Sequence, residues 1–405
     1  MQKSSKKRSI TRSQQIQDRA RRVLWKGGSE ATQHELLQSC GYPGFLQSAE
    51  GCQVWDADGN GYLDYLMSWG SVLLGHNAAA VVNEVQKQLQ QGVLFNLGVE
   101  QEVSLAERLV THIPGAELVR FVASGSEATN AAIRIARAVT GREKIVQYGF
   151  HGWLDWCQSA HPSGLSKDSV LSSLPLKYND LNSLEELFSN HRNEIACVIM
   201  EPFKDEEPEE GFLEGVRDIA HQHGALFIFD EIKTGFRLGL GGAQAHFGVT
   251  PDLCLFSKAL ANGYPLAALA GKAEVFEQAS EVWISGTYHG WPLAIAAAHA
   301  TLNVLESEPV TQHIWALGER LMTGFNNVMT THGLQTRLAG LPPMPQVRNP
   351  EEEQIIIERL FSNMLARGYF IHPIRPWFIS ARHTNENIKT TLADIEAVVW
   401  EIQGT

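Results

Sequence analysis

The middle of the chain alternates segments of helical periodicity with short apolar segments. Apolar residues recur with the spacing of an amphipathic helix at 78–91 and 101–112. Other apolar runs are short and rich in β-branched or aromatic residues, as buried parallel strands are. These runs lie at 118–123, 144–148, 195–200, 225–229 and 252–256. The alternation predicts an α/β fold in which helices cover a mostly parallel sheet.

The two ends of the chain show a different pattern. Residues 50–66 predict a hairpin around the turn Asp56-Ala-Asp-Gly-Asn-Gly61. This turn resembles the start of a calcium loop, but Met67 stands where such a loop needs a bidentate Glu, so an ordinary turn is the better interpretation. Further helical stretches follow near the C-terminus, separated by a Pro-rich turn. They lie at 311–331, 351–367 and 386–402.

These changes of pattern divide the chain into three parts. We expect residues 1–75, with a basic tail, a helix and the hairpin, to join a smaller α+β domain. Residues 76–305 form the predicted large domain, and residues 306–405 complete the small one. A chain of this length buries such a core without disulfide bonds.

Composition narrows the class of protein. The 405 residues contain 45 Asp and Glu against 33 Lys and Arg, a net charge of −12, which argues against nucleic-acid binding. No apolar run approaches the length of a membrane span, and none follows the basic tail as in a secretory signal. The 5 cysteines are scattered without a C-x-x-C pair, which favours reduced thiols. We therefore expect a cytoplasmic protein that binds neither nucleic acid nor membrane and holds no metal.

Polar residues follow several predicted strands, and ligands of parallel sheets bind beyond such strand ends. After strand 118–123, Ser124 and Glu127 form a capping-box pattern in front of a helical run. The turn also contains Gly125 and Ser126, and a glycine-containing turn at a helix N-terminus is a natural phosphate site. An ordinary capped helix without a ligand gives the same pattern.

Two other strand ends bring charged residues to the edge of a buried sheet. Asp230 follows strand 225–229, where a carboxylate is costly to desolvate without a positive partner. Lys258 follows strand 252–256, where burial lowers the pKa of an amine and makes it a nucleophile suited to a Schiff base. Taken alone, Asp230 also fits a helix cap or a structural ion pair, and Lys258 fits a side chain that reaches solvent.

Together these features match the needs of pyridoxal 5′-phosphate. A helix N-terminus holds its phosphate, a carboxylate keeps its pyridine nitrogen protonated, and a lysine amine holds its aldehyde as an imine. The sequence therefore predicts a site for this cofactor at the edge of the sheet.

The sequence resembles the class III aminotransferases of fold-type I, and among them most strongly the glutamate-1-semialdehyde 2,1-aminomutase branch. The resemblance covers most of residues 50–305 and is loose near the C-terminus. It implies a fold-type I transferase with a large domain and a small α+β domain, acting as a homodimer. The matching motifs are Ser68-Trp-Gly70, Gly75-His-Asn77, Ser124-Gly-Ser-Glu-Ala-Thr-Asn130, Phe150-His-Gly152, Glu201-Pro202, Asp230-Glu-Ile-Lys-Thr-Gly-Phe-Arg237, Thr250-Pro-Asp252, Ser257-Lys258 and Gly286-Thr287.

The resemblance also implies roles for individual residues. Lys258 would form the Schiff base and shuttle the proton, and Asp230 would pair with the pyridinium nitrogen. Phe150 would stack on one face of the ring and Ile232 would pack against the other, although ordinary core packing explains both as well. Thr287 would reach the phosphate bound by the neighbouring subunit. The implied cofactor-binding residues are Ser124, Gly125, Ser126, Phe150, His151, Glu201, Asp230, Ile232, Lys258 and Thr287.

The chain departs from the aminomutase pattern on the substrate side. After Gly27-Gly28, where the relatives carry an arginine for the substrate carboxylate, residues 29–34 contain none. Glu201-Pro202 is followed by the acidic segment 203–210 instead of small residues and an amide. The segment 154–176, which corresponds to a gating loop of the aminomutases, is short. A poorly sealed site favours release of the intermediate and ordinary transamination.

Other residues are candidates for substrate binding. Trp69 resembles a wall of the substrate pocket, with core packing as the alternative, and His34 stands near the missing arginine. Arg375, ahead of Arg382, is the alternative anchor for a substrate carboxylate, because an Arg–carboxylate pair is bidentate. A surface or interface arginine is the other interpretation.

The activity that the resemblance implies is transamination between an amino donor and a keto or aldehyde acceptor. It proceeds through a Lys258 Schiff base and pyridoxamine 5′-phosphate. Three alternatives stay open. They are an intramolecular aminomutase of the glutamate-1-semialdehyde type, a racemase or decarboxylase on the same scaffold, and a non-catalytic scaffold. The presence of both Lys258 and Asp230 argues against the last.

Overall fold

The computed structural model describes residues 8–28, 43–204 and 206–404. Within them the chain forms two compact units. One consists of residues 79–308, and the other combines the residues up to 78 with those from 309 onward. His34 lies outside the described residues.

The regular elements are numbered here in chain order over the described residues. The strands are β1 (Leu46–Glu50), β2 (Gln53–Asp56), β3 (Gly61–Asp64), β4 (Leu118–Val122), β5 (Lys144–Tyr148), β6 (Ser173–Pro175), β7 (Ile195–Met200), β8 (Leu226–Asp230), β9 (Leu253–Phe256), β10 (Ala267–Gly271), β11 (Arg337–Ala339), β12 (Gln346–Arg348) and β13 (Tyr369–Phe370). The α-helices are α1 (Thr11–Val23), α2 (Ala79–Gln91), α3 (Glu100–His112), α4 (Gly125–Thr140), α5 (Lys167–Leu171), α6 (Leu181–Asn190), α7 (Phe212–Gln222), α8 (Gly242–Phe247), α9 (Ala273–Gln278), α10 (Pro292–Ser307), α11 (Val310–Thr331), α12 (Gln354–Arg367) and α13 (Asn385–Gln403).

The unit of residues 79–308 is built around a seven-stranded sheet with the order β4-β10-β9-β8-β7-β5-β6. The strands from β9 to β6 are parallel to one another, and every residue of β7 and β9 is buried. The five apolar runs singled out in the sequence are β4, β5, β7, β8 and β9. The predicted α/β fold with a mostly parallel sheet is therefore confirmed.

The strand β10 was not predicted from the sequence. It is antiparallel to both of its neighbours, β4 and β9. Its sequence, Ala-Ala-Leu-Ala-Gly, has a low intrinsic preference for strands and resembles a helix or a loop. Its place between β4 and β9 follows from packing, since Ala267 and Leu269 belong to the same buried cluster as Ala128 and Ala132 of α4.

The second unit holds a four-stranded sheet with the order β1-β2-β3-β13. The predicted hairpin is confirmed as the antiparallel pair β2–β3. The Asp56 carboxylate accepts hydrogen bonds from the N–H groups of Asp58 at 3.0 Å and Asn60 at 2.8 Å, and from the Tyr62 hydroxyl at 3.0 Å. The Asp56 carboxylate is thus occupied by hydrogen bonds within the turn. Nowhere in the described part of the chain do three or more metal-ligating side chains cluster.

The helices predicted near the C-terminus are also confirmed, as α11, α12 and α13. They bury apolar faces that include Leu317, Phe361 and Ile395. Across residues 8–28, 43–204 and 206–404, none of the helices has the length and apolar character needed to span a bilayer.

Candidate active site

The carboxyl ends of the parallel strands carry the predicted charged residues at one edge of the seven-stranded sheet. β8 ends in Asp230, Glu201 follows β7, and Lys258 follows β9 after one intervening serine. Asp230 pairs with Leu255 in the sheet, so the end of β9 lies directly beside the end of β8. Because neighbouring strands are about 4.8 Å apart, this pairing brings Asp230 and Lys258 to the same place.

The helix α4 begins directly after β4 with a complete capping box. The Ser124 hydroxyl accepts the N–H of Glu127 at 3.3 Å, and the Glu127 carboxylate accepts the N–H of Ser124 at 3.0 Å. Helix geometry leaves the N–H groups of Gly125 and Ser126 without intrahelical acceptors, which suits an anionic ligand. A Cβ at Gly125 would lie 2.7 Å from Cδ1 of Ile232, so a larger residue there would displace the end of the Ile232 side chain.

Asp230 is held by two hydrogen bonds in a buried position. His151 donates from Nδ1 to one carboxylate oxygen at 2.7 Å, and the N–H of Ile232 donates to the other at 3.1 Å. Asp230 and His151 are each only 2% exposed, and the His151 ring stacks on Trp156 with centroids 5.9 Å apart. His151 therefore holds the Asp230 carboxylate in a fixed orientation.

Glu201 forms a buried ion pair with Lys233. The Lys233 Nζ lies 2.6 Å from Glu201 Oε2, and Glu201 Oε1 accepts the N–H of Phe150 at 2.7 Å. Burial acts to raise the pKa of Glu201, but the Lys233 ammonium and the Phe150 N–H outweigh it and hold this pKa below its usual value. Glu201 is therefore a carboxylate with its charge fixed.

Lys258 has an amine that readily loses its proton. Burial and the Lys233 charge lower its pKa to about 8, although Glu201 and Asp230 oppose the shift. Its backbone has a φ of +43°, a left-handed conformation that residues with a Cβ rarely adopt. Backbone strain of this kind persists where the surrounding structure imposes it, and active sites are a common case.

A second carboxylate lies beside Asp230 and faces away into the core. Glu231 is completely buried and accepts hydrogen bonds from the N–H of Ala243, from the Gln244 amide at 2.9 Å and from the Thr234 hydroxyl at 3.4 Å. Burial raises its pKa from 4.5 to about 7, because these donors only partly replace water. Glu231 therefore ties β8 to α8.

The other predicted site residues lie in less enclosed places. Phe150 follows β5 and is 64% exposed, and Thr287 is exposed in the segment between α9 and α10. Trp69 and Arg375 belong to the other compact unit. There the Trp69 ring contacts the edge of His372, with centroids 5.8 Å apart, and Arg375 is exposed.

Lys233 and Trp156 contribute to the site although neither was predicted from the sequence. Lys233 lies three residues past the end of β8, and Lys258 lies two residues past the end of β9. A lysine so soon after a buried strand is a detectable signal, since lysines are rarely buried unpaired. Trp156 lies in a 3₁₀ turn after β5 and had no such signal.

These residues fit the chemical groups of pyridoxal 5′-phosphate. The N–H groups at the start of α4 suit a phosphate, the buried Asp230 suits a protonated ring nitrogen, and Lys258 suits an aldehyde. The family model for class-III aminotransferases matches residues 39–388. The chain therefore belongs to the class-III aminotransferase family and is an enzyme that depends on pyridoxal 5′-phosphate.

Individual relatives within this family carry different names. A glutamate-1-semialdehyde 2,1-aminomutase from Alkaliphilus oremlandii is 37% identical, with 97% of this chain and 100% of the relative covered. A 3-aminobutyryl-CoA aminotransferase from Cloacimonas acidaminovorans is 34% identical over 89% of this chain and 90% of the relative. The solved structure of the FumI protein of Sphingopyxis sp. MTA144 has a TM-score of 0.91 and 29% identity, with 97% of both chains covered.

The raised pKa of Glu231 predicts a pH-dependent contribution to stability. A carboxyl group whose pKa is higher in the folded state favours folding below pH 4.5 and loses that contribution as the pH rises through about 7. The Glu231→Gln variant cannot ionise, so its free energy of unfolding should gain about 2.5 kcal/mol on the wild type between pH 5 and pH 8. Denaturant unfolding at both pH values measures this difference. The exposed Glu107→Gln serves as control, and a Glu231→Gln difference that does not change with pH contradicts the prediction.

Proposed function

We propose that this protein is an aminotransferase that moves an amino group from a small-molecule amine to a keto or aldehyde acceptor. The observation that carries the proposal is the pairing of Asp230 with Leu255, which sets the end of β8 beside the end of β9, where Lys258 follows. Bound pyridoxal phosphate supplies an aldehyde that condenses with amines and a ring that takes up the electron pair of a broken C–H bond.

Lys258 acts first as the amine that holds the cofactor and then as the base. With a pKa of about 8, a substantial fraction of its side chain is neutral near physiological pH, and a neutral amine is both a nucleophile and a proton acceptor. The same side chain then returns the proton. Lys258 takes up its position after the end of β9 through its left-handed backbone conformation.

Asp230 supplies the negative charge opposite the protonated ring nitrogen. Its carboxylate needs no rearrangement to do so, because His151 and the N–H of Ile232 already hold both oxygens. Ser124, Gly125 and Ser126 at the start of α4 would hold the phosphate. Phe150 and Ile232 would pack against the ring, and Glu201 fixes the backbone of Phe150.

An aminomutase is the second candidate, because the 37% identical relative bears that name. Both reactions need the same cofactor residues and differ in whether the first carbonyl product leaves. Between β5 and β6 the chain has only a 3₁₀ turn and the five-residue helix α5, and most of this segment is partly or fully exposed. Such a short and exposed segment is a poor seal for the site, which favours release of the product and hence transamination.

A single-turnover screen of amino donors tests the proposed reaction. The expected result is bleaching of the visible absorbance of the bound cofactor by a donor, together with one keto or aldehyde product per cofactor converted. Rearranged amine without free carbonyl product indicates the aminomutase. Retained amine with inverted configuration, or release of CO₂, indicates a racemase or a decarboxylase.

Two variants test the roles of the residues in this screen. Lys258→Ala should lower turnover at least about a thousandfold and leave no covalent cofactor adduct after borohydride reduction and peptide mass spectrometry. Asp230→Asn keeps the adduct but should lower turnover by about a hundredfold or more. An adduct on any other lysine in the wild type would overturn the assignment of Lys258.

Arg375 is proposed as the anchor for a substrate carboxylate. Its guanidinium is exposed, and within the described residues it forms no ion pair. Arg375→Ala should raise KM for carboxylate-bearing donors about tenfold or more and leave KM for simple amines unchanged. Arg375→Lys should not restore KM, because lysine lacks the planar fork. The exposed Arg192→Ala is the control, and an unchanged KM in Arg375→Ala removes the assignment.

The proposed enzyme is a homodimer in which Thr287 reaches the phosphate bound by the partner. The exposure of Thr287 agrees with a role outside its own subunit. Mixing inactive Lys258→Ala with Thr287→Ala under refolding conditions, at limiting cofactor, should restore up to about a quarter of wild-type activity, since half of the dimers then contain one intact site. A Thr287 that acts within its own subunit gives no recovery above the two variants assayed separately.

A further inference from the structure

The edge of the sheet carries two lysines in equivalent positions. Asp230 and Leu255 are partners in the parallel pair β8–β9, and each is followed after the same interval by a lysine, Lys233 and Lys258 respectively. The Lys233 charge also acts on Lys258, so both amines lie near the proposed cofactor site. A difference between the surroundings of the two lysines must therefore determine which of them reacts with an aldehyde.

The two lysines differ in their ionic partners. Lys233 Nζ lies 2.6 Å from Glu201 Oε2, and the two side chains are only 13% and 7% exposed. Glu201 is itself fixed by the N–H of Phe150 at 2.7 Å and is closely approached by Gly149, where a Cβ would lie 2.7 Å from Glu201 Cγ. A buried ammonium against a fixed carboxylate keeps its proton. Lys258, in contrast, makes no ion pair within 4.0 Å in the described part of the chain.

We propose that Lys233, held against Glu201, is a positioning residue that keeps the Lys258 amine neutral and leaves Lys258 as the reactive one of the two lysines. A like charge close by disfavours the protonated form of an amine. The Glu201 carboxylate keeps Lys233 protonated, and so positively charged, although the site is buried. The inference rests on the proposed function for the role of Lys258.

The other charged groups around Lys258 do not replace this effect. Asp230 and Glu201 both favour its protonated form, while Lys233 and Arg237 disfavour it, and His151 is directed at Asp230. After burial, Lys233 is the largest of these influences on the pKa of Lys258. Removal of Lys233 leaves Glu201 and Asp230 to act on Lys258 with less opposition. The proton on Lys258 is then harder to remove.

Trace acetylation tests the proposal on the full-length chain loaded with pyridoxamine 5′-phosphate, which has no aldehyde and leaves the Lys258 amine free. The reagent is acetic anhydride, and peptide mass spectrometry compares Lys258 with the exposed Lys389 between pH 6 and pH 10. In Lys233→Met, Lys258 should label about tenfold more slowly than in the wild type at pH 7 and equally fast at pH 10. Lys233→Arg keeps the charge and should stay within about twofold of the wild type.

Two further variants make the result decisive. Glu201→Gln removes the partner of Lys233, and Lys233 should then become labelled near neutral pH. If Lys233→Met does not fold, the double variant Lys233→Met/Glu201→Gln replaces it, because it leaves no unpaired charge. In the double variant, Lys258 should still label about threefold more slowly than in the wild type, because the effect of Lys233 outweighs that of Glu201. A wild-type pH profile for Lys258 in a folded Lys233→Met or double variant overturns the proposal. Slow labelling of Lys233 in Glu201→Gln contradicts the part played by the ion pair.

The labelling requires no turnover, so it separates this inference from the proposed function. If the wild type transaminates and labels as in Lys233→Met, the inference fails and the function stands. If no amino donor bleaches the cofactor, the proposed function fails whatever the labelling shows.

Discussion

The parallel pairing of β8 with β9 is the constraint on which the candidate site depends. It sets Asp230 beside Leu255 and so brings the residues that follow each strand to one place. A shift of register by one residue would turn the side chain of Asp230 to the other face of the sheet. The register is well fixed, because every residue of β9 and nearly every residue of β8 is buried. Core packing thus determines the geometry of the chemistry.

The same burial makes charge the second constraint. Glu201, Asp230, Lys233 and Lys258 all lie where desolvation is costly. Each carboxylate has a compensating partner, namely Lys233 for Glu201, and His151 with a backbone N–H for Asp230. Lys258 is the charged group without such a pairing, and its pKa is the one that falls into the range useful for catalysis. The Lys258 amine becomes reactive because the carboxylates around it already have partners of their own.

The sequence was sufficient to predict the strands that carry the site, because buried parallel strands are continuous apolar runs and polar residues at their ends stand out. It was sufficient as well to place Ser124, Asp230 and Lys258 at strand ends, whereas their roles toward a cofactor stay predictions. It could not reveal β10, whose alanines are set in the sheet by long-range packing. Nor could it assign His151 to Asp230, because a contact between a loop and a strand distant in the chain has no periodicity to mark it.

The residues that define the cofactor site and those that would select a substrate have different origins in the chain. The proposed cofactor residues all belong to the unit of residues 79–308, whereas Trp69 and Arg375 belong to the other unit. The relatives bear the names of an aminomutase and an aminotransferase, and the proposed cofactor chemistry is common to both kinds of reaction. The outcome of the reaction then depends on how long the product is retained and on what holds its carboxylate. Neither property depends on the strand ends that carry Lys258 and Asp230.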